Sequence, residues 1–480
     1  MEIFFGIVGF VASVIAIYEF VVKPRKRKQE DRELRQLINE AVEEAFQRNP
    51  NLIYPKLEIP YSERKKQLLV EAFKFLKEFK YSEAIDSFQK CLALSTDDKE
   101  KIDLLIYIGN TFYAQSKFDE ALGCYKEALE LSEEIGDEPG KSAALGNLGL
   151  VYYGEGDLGQ ALKHHQQALE IHKRIDNSLG EGNALGNLGN VYQLKGDLDQ
   201  ALKHSQQALE IHRKIGNPLG EANALGNLGL VYQVKGDLEQ ALKHYQQALE
   251  IDRKIGNPLG EASTLSNLGL VYQDRGDLQE ALKHYQQALE IDRKIGNPLG
   301  EASTLNNLGL VYQDRGDLQE ALKHHQLALE IHRKIGNPLG EANALMNLGN
   351  DYHGRGYLDQ ALRHHQQALD IFKRIENPLG VANALMNLAN NYKDKGDLDQ
   401  SLNFYQQALM IHRRIGDPLG EASDLNNLGL VYQDRGDLEQ ALKHYQQALK
   451  IFEKIGAKRQ IQIVNDNIKK IQVLKQKTNI

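Results

Sequence analysis

The chain has 480 residues, 41% apolar and 26% charged, with a net charge of −8. That balance suits a folded array, excludes a disordered chain, and argues against nucleic acid as the main partner. Cys91 and Cys124 are the only cysteines; they form no CxxC and no metal spacing, and read as reduced thiols on apolar positions.

Residues 3–22, IFFGIVGFVASVIAIYEFVV, are apolar apart from Glu19 and small polar interruptions. Their length matches the roughly 20 residues that span a bilayer core. The basic run Lys23, Arg25, Lys26, Arg27 and Lys28 comes after the apolar stretch, the reverse of a secretory signal peptide. Residues 1–28 are therefore expected to be a transmembrane anchor with its basic flank. The membrane is a partner through residues 3–22, and the rest of a single-pass protein lies on the cytoplasmic side. An interfacial helix would need a polar face, which this stretch lacks.

Residues 29–48 carry an amphipathic helical stripe, Leu34, Leu37, Ile38, Ala41, Val42, Ala45 and Phe46. It suits either a short dimerising coiled coil or a helix packed on the first repeat or on the membrane surface. Pro50, Pro55 and Pro60 forbid a continuous helix, so residues 29–62 read as a stalk helix and a linker.

From residue 63 to 456 a forty-residue unit recurs, degenerate at first and then regular. Its form at 217–256 is NPLGEANALGNLGLVYQVKGDLEQALKHYQQALEIDRKIG. Asn217 can cap a helix and Pro218 suits its first position. Leu225, Leu228, Val231 and Tyr232 come next at helical spacing. Gly236 suits a left-handed C-terminal position, and Asp237 with Gln240 makes a capping-box pattern for the next helix. That helix places Leu238, Ala241, Leu242, Tyr245, Ala248, Leu249 and Ile255 on one stripe. The short connection makes the two helices antiparallel neighbours. One unit alone buries too little apolar surface to offset its ordering entropy, so stacking must stabilise the array. Residues 457–480 read as a capping helix with a polar outer face.

The residues Leu228, Gly229, Tyr232, Gly236, Ala241, Tyr245 and Ala248 spell a pattern that resembles the tetratricopeptide repeat (TPR). The forty-residue variant is similar to the kinesin light chains and the Pins-type adaptors. Leu225 stands where that family often has Trp. The resemblance implies an all-α fold, an α-solenoid of about ten helix pairs forming a right-handed superhelix, here preceded by one transmembrane helix.

No phosphate loop, HExxH, CxxC pair or GxSxG elbow is present, so neither an enzyme nor a cofactor, metal or small-molecule substrate is expected. His164, His204, His244, His284, His324, His364 and His444 form one column, with Phe404 interrupting it. Successive repeats stand at least a helix diameter apart, too far for column neighbours to share one ion, so these histidines read as a half-exposed position copied by duplication.

Comparing repeats with one another is more informative. The second helix keeps Lys-His-x-Gln-Gln-Ala-Leu almost everywhere. The first helix varies along one stripe, for example Gly146, Gly186, Gly226, Ser266, Asn306, Met346, Met386 and Asn426. Beside it runs an unvarying ladder, Asn147, Asn187, Asn227, Asn267, Asn307, Asn347, Asn387 and Asn427, joined three residues on by Asn190, Asn350 and Asn390. An amide offers both donor and acceptor, so such a ladder either holds an extended backbone or bonds neighbouring repeats. In the family these first helices line the concave groove that binds peptides. The resemblance therefore implies that Asn187, Asn227, Asn267, Asn307, Asn347, Asn387, Asn427, Asn190, Asn350 and Asn390 contact peptide segments of partner proteins. Chaperone-tail clamps of the family place Lys or Arg around such asparagines; this groove has few, Lys393 being the main candidate, and departs from the carboxylate-clamp pattern. The expected function is a membrane-anchored interaction scaffold. The alternative is a peptide- or partner-sensing regulatory component without catalysis of its own.

Overall fold

The computed structural model describes residues 36–38, 40–41, 52–54, 63–78, 80–115 and 117–478. Every element among them is an α-helix. In chain order these are α1 Glu63–Lys77, α2 Tyr81–Ala93, α3 Asp98–Ala114, α4 Phe118–Ile135, α5 Glu138–Gly154, α6 Leu158–Arg174 and α7 Ser178–Leu194. Then come α8 Leu198–Lys214, α9 Pro218–Val234, α10 Leu238–Ile255, α11 Pro258–Asp274, α12 Leu278–Ile295, α13 Pro298–Asp314 and α14 Leu318–Lys334. The last are α15 Pro338–Gly354, α16 Leu358–Arg374, α17 Pro378–Asp394, α18 Leu398–Ile415, α19 Pro418–Arg435, α20 Leu438–Ile455 and α21 Lys458–Thr478. The chain divides into two compact units, the first ending at Val271 and the second starting at Tyr272. Within each, a first helix packs on its own second helix, and that second helix packs on the next first helix.

The local chemistry explains the boundaries. The Asn217 side chain accepts from the Gly220 N–H at 3.2 Å, and Pro218 stands at the helix start. Gly236 takes φ +79° between α9 and α10, and the Asp237 carboxylate accepts from the Gln240 N–H at 3.2 Å. Gly229 leaves room for a ring: a Cβ there would stand 2.8 Å from Tyr245, which is fully buried. Ile255 departs from its expected place. It is 37% exposed at the last turn of α10, where the chain turns away at left-handed Gly256.

The single-pass membrane localisation is corrected. No helix among the described residues is long and apolar enough to cross a membrane. The first helices are only 15–18 residues long and mix their apolar residues with Glu, Asn, Gln and Gly, while the second helices carry Lys, Arg, His, Gln and Glu along their length. The stretch 3–22, on which the anchor and the membrane partner rested, lies outside the described residues. Of the stalk helix, Ile38 and Ala41 are buried in the same apolar cluster as Ala72, Phe73 and Phe88 from α1 and α2. Glu40 pairs with Lys77 at 2.5 Å.

Candidate functional site

The asparagines fall on one face of the first helices, in two settings. The first is at the start of the array. Residues 52–54, part of the expected linker, lie across α3 and α5 rather than apart from them. The Ile53 N–H donates to Asn147 Oδ1 at 2.8 Å. The Ile53 carbonyl accepts from Asn147 Nδ2 at 3.1 Å and from Asn110 Nδ2 at 3.0 Å. Asn147 Nδ2 also donates to Asn110 Oδ1 at 2.9 Å, and the Tyr125 hydroxyl donates to the same oxygen at 2.7 Å. Both polar groups of one residue outside any helix are thus held by two amides from adjacent repeats, and the amides are held by each other and by a tyrosine. The Ile53 side chain stands over Gly146, where a Cβ would come within 2.6 Å of its Cδ1. Leu52 and Tyr54 join the buried cluster that includes Leu150.

The second setting is the rest of the ladder. Asn187 is buried. Asn227, Asn267, Asn307, Asn347, Asn387, Asn427, Asn190 and Asn390 are half-buried, and Asn350 is exposed. Asn387 Nδ2 donates to Asn350 Oδ1 at 3.2 Å, the same bond between adjacent repeats as Asn147 to Asn110. The Tyr405 hydroxyl donates to Asn390, as Tyr125 does to Asn110. The ladder therefore serves inter-repeat bonding in these places while keeping amide capacity on the open face. Leu150, under residues 52–54, is 6% exposed, whereas its counterpart Leu230 two repeats on is 37% exposed.

Asn110 is absent from the sequence-derived set because the forty-residue register puts Tyr107 in the ladder column. The readable signal was the 37-residue spacing from Asn110 to Asn147, which recurs from Asn190 to Asn227, Asn350 to Asn387 and Asn390 to Asn427.

The face also differs between the units in its last helical turn. Leu194 and Val234 are exposed in the first unit, and Asp314, Asp394 and Asp434 stand in that column in the second. The histidine column takes no part in the site. His164, His204 and His244 stack on Tyr152, Tyr192 and Tyr232 with ring centroids 5.2–5.3 Å apart, and His284, His324 and His364 do likewise in the second unit. No group of residues among those described could hold a metal ion. Burial pushes the Cys91 thiol up to about 12 and the Cys124 thiol up to about 11, which keeps both protonated.

Repeated helix pairs, glycines that admit the partner ring and a polar ladder on the first helices define a TPR-type helical array. The tetratricopeptide repeat profile matches residues 100–174, 140–214, 180–254, 220–294, 300–374 and 380–454, and the chain belongs to that family. No curated protein matches it. Among solved structures it is similar to a signal-transduction ATPase with a TPR sensor from Pyrococcus horikoshii. The identity is 16% over 95% of this chain and 74% of that one, with a TM-score of 0.54. The apo form of the quorum sensor NprR from B. thuringiensis is 17% identical over 72% and 97% of the two chains, with a TM-score of 0.50. A kinesin light chain-type repeat protein from Podosopora anserina is 19% identical over 41% and 96%, with a TM-score of 0.36. At these identities the likeness concerns the fold alone.

Proposed function

We propose that this chain is a protein-interaction scaffold whose first-helix face binds extended peptide segments of partner proteins through the asparagine ladder. The observation that carries the reading is the seat of Ile53. A peptide backbone already lies on two of these amides, with donor and acceptor both engaged. Recognition through backbone groups is independent of side chains, and the varied stripe beside the ladder supplies selectivity.

The alternative is a sensing component. It draws on what the neighbouring structures are, a TPR sensor and a quorum sensor. The two readings share the site and differ in consequence: a sensor changes conformation when its ligand binds.

The test is photocrosslinking of the full chain with benzoylphenylalanine at positions 226, 306 and 386, and controls at the exposed Lys243 and Lys323. The expected result is a crosslink from the groove positions to one segment of a discrete partner, reduced by Asn→Ala changes at the neighbouring rungs. Equal capture by groove and control positions would overturn the reading. A change in hydrogen exchange far from the crosslink on adding the captured segment would favour the sensor.

A further inference from the structure

The clamp on Ile53 has a counterpart displaced by two repeat periods. Eighty residues beyond Asn110, Gly146 and Asn147 stand Asn190, Gly226 and Asn227. These three share the first unit and the helix positions of the originals. Asn190 lies on α7, as Asn110 lies on α3; Gly226 and Asn227 lie on α9, as Gly146 and Asn147 lie on α5.

The other spacings of 37 do not repeat all three groups. Beside the Asn350–Asn387 pair the glycine position holds Met386. Beside Asn390–Asn427 it holds Asn426, whose amide oxygen already accepts from Asn467 on α21 at 3.2 Å. At Gly226 a Cβ would have nothing within 4 Å, so the slot that Ile53 fills over Gly146 is open there. Asn227 Nδ2 points across to the preceding repeat, 3.8 Å from where a Cβ on Gly186 would stand. Aliphatic side chains flank the place: Leu194 is 52% exposed, Leu230 37% and Val234 51%. Two supports differ: Ser205 stands where Tyr125 fixes Asn110, and Asn227 does not make to Asn190 the bond that Asn147 makes to Asn110.

We infer that Asn190, Asn227 and Gly226 form a second clamp of the kind that holds Ile53, and that it takes an extended partner segment presenting a branched aliphatic residue. The inference rests on the groove reading proposed above and narrows it to one place and one ligand chemistry. The two amides take the N–H and C=O of the clamped residue. Its side chain enters over Gly226, and its apolar neighbours cover Leu194, Leu230 and Val234. A charged residue at the clamped position would be desolvated there without a partner. In the corresponding column of the second unit, Asp274, Asp314, Asp394 and Asp434 with Gly354 replace Leu194 and Val234, so the preference for an apolar segment belongs to the first.

The probe is a fluorescent peptide with the chain's own sequence at 50–57, PNLIYPKL, and a second peptide in which its isoleucine is replaced by aspartate. Fluorescence anisotropy is read against the full chain and three variants with unchanged helical circular dichroism. These are Asn190→Ala with Asn227→Ala, Gly226→Met, and Asn110→Ala with Asn147→Ala. The expected result is binding of the isoleucine peptide at least about tenfold weaker to the first two variants, the change that losing charge-free paired hydrogen bonds of about 1.4 kcal/mol brings. The aspartate peptide should bind at least about tenfold more weakly than its parent to the unaltered chain. Loss only in the Asn110→Ala, Asn147→Ala variant would mean that the peptide merely replaces the chain's own segment, and would overturn the inference. So would binding insensitive to all three variants, or no binding at millimolar peptide. Each of these leaves the wider groove reading to the crosslinking from positions 306 and 386, which does not involve this clamp.

Discussion

At the residue scale, single substitutions within a nearly uniform repeat set local stability. The buried column that holds Tyr125, Tyr245, Tyr285, Tyr405 and Tyr445 holds histidine at 165, and neither of its ring nitrogens has a hydrogen-bond partner. Burial holds that imidazole down to about 3. A histidine whose folded value is depressed contributes fully above its ordinary value near 6.5. That contribution is lost as pH falls toward 3, at up to about 1.4 kcal/mol per pH unit. Gly149 leaves the same space beside His165 that Gly109 leaves beside Tyr125. His165→Tyr should therefore fold and should show a shallower loss of urea stability between pH 6.5 and 4 than the unaltered chain. Equal slopes would refute this account. A second substitution concerns the backbone. Asp176 and Glu376 take φ of 54° and 53° at helix ends where most repeats use glycine. Glu376→Gly should stabilise the chain by about 1 kcal/mol, since glycine adopts that conformation without the Cβ clash, and thermal unfolding measures it.

At the element scale, the difference lies between a first helix whose face is covered and one whose face is open. α5 carries Asn147 and Leu150 under residues 52–54; α9 carries Asn227 and Leu230 in the same positions without that cover. Asn147→Ala removes both of its bonds to Ile53 and leaves Asn110 alone on the carbonyl. It should cost about 1–3 kcal/mol at the segment and speed hydrogen exchange at the Ile53 amide. Asn227→Ala, at a half-buried position, should change stability by less than about 0.5 kcal/mol. Similar effects from the two substitutions would show that the segment is not held by Asn147. The arginine–glutamate pairs that join α8 to α9 and α14 to α15, Arg213–Glu221 at 2.7 Å and Arg333–Glu341 at 2.8 Å, are exposed on the arginine side. They add at most about 1 kcal/mol each and do not set the register.

At the scale of the molecule, the repeats look interchangeable in sequence but carry buried polar matches across their interfaces. In the second unit His325 bonds Asp351 at 2.6 Å, His365 bonds Asn391 at 2.8 Å, and His412 bonds Asp424 at 2.6 Å, all buried. Burial pushes the Asp424 carboxyl up to about 7 against the pull of His412. Deleting residues 337–376 would bring His325 to Asn391 and His332 to Gly380, where the ring of Phe372 now fits. Deleting residues 377–416, an equally long segment, would bring Phe372 to Asp424 and remove its histidine. The second deletion should cost about 3 kcal/mol more than the first, read as a lower urea midpoint, because a buried carboxyl loses its partner. Equal midpoints would mean that the repeats stack by apolar shape alone.

The helix pairs, their caps and the ladder can be read off the chain. Each follows from local chemistry repeated at a fixed period, such as Asn217 before Pro218 and Gly236 before Asp237. The asparagine face was legible for the same reason, since an unvarying polar column beside a varying stripe stands out when a chain is compared with itself. What the ladder touches depends on contacts between residues far apart in the chain. Ile53 and Asn147 are 94 residues apart, and Pro50 and Pro55 around the segment read equally well as a linker. Asn110 was hidden because the degenerate repeat puts Tyr107 in the ladder column and its amide in the neighbouring column, where Leu150 and Leu230 stand in other repeats. The buried matches of His325, His365 and His412 were likewise invisible, because a side chain's partner in the next repeat depends on how helices stack and not on what is adjacent in the chain.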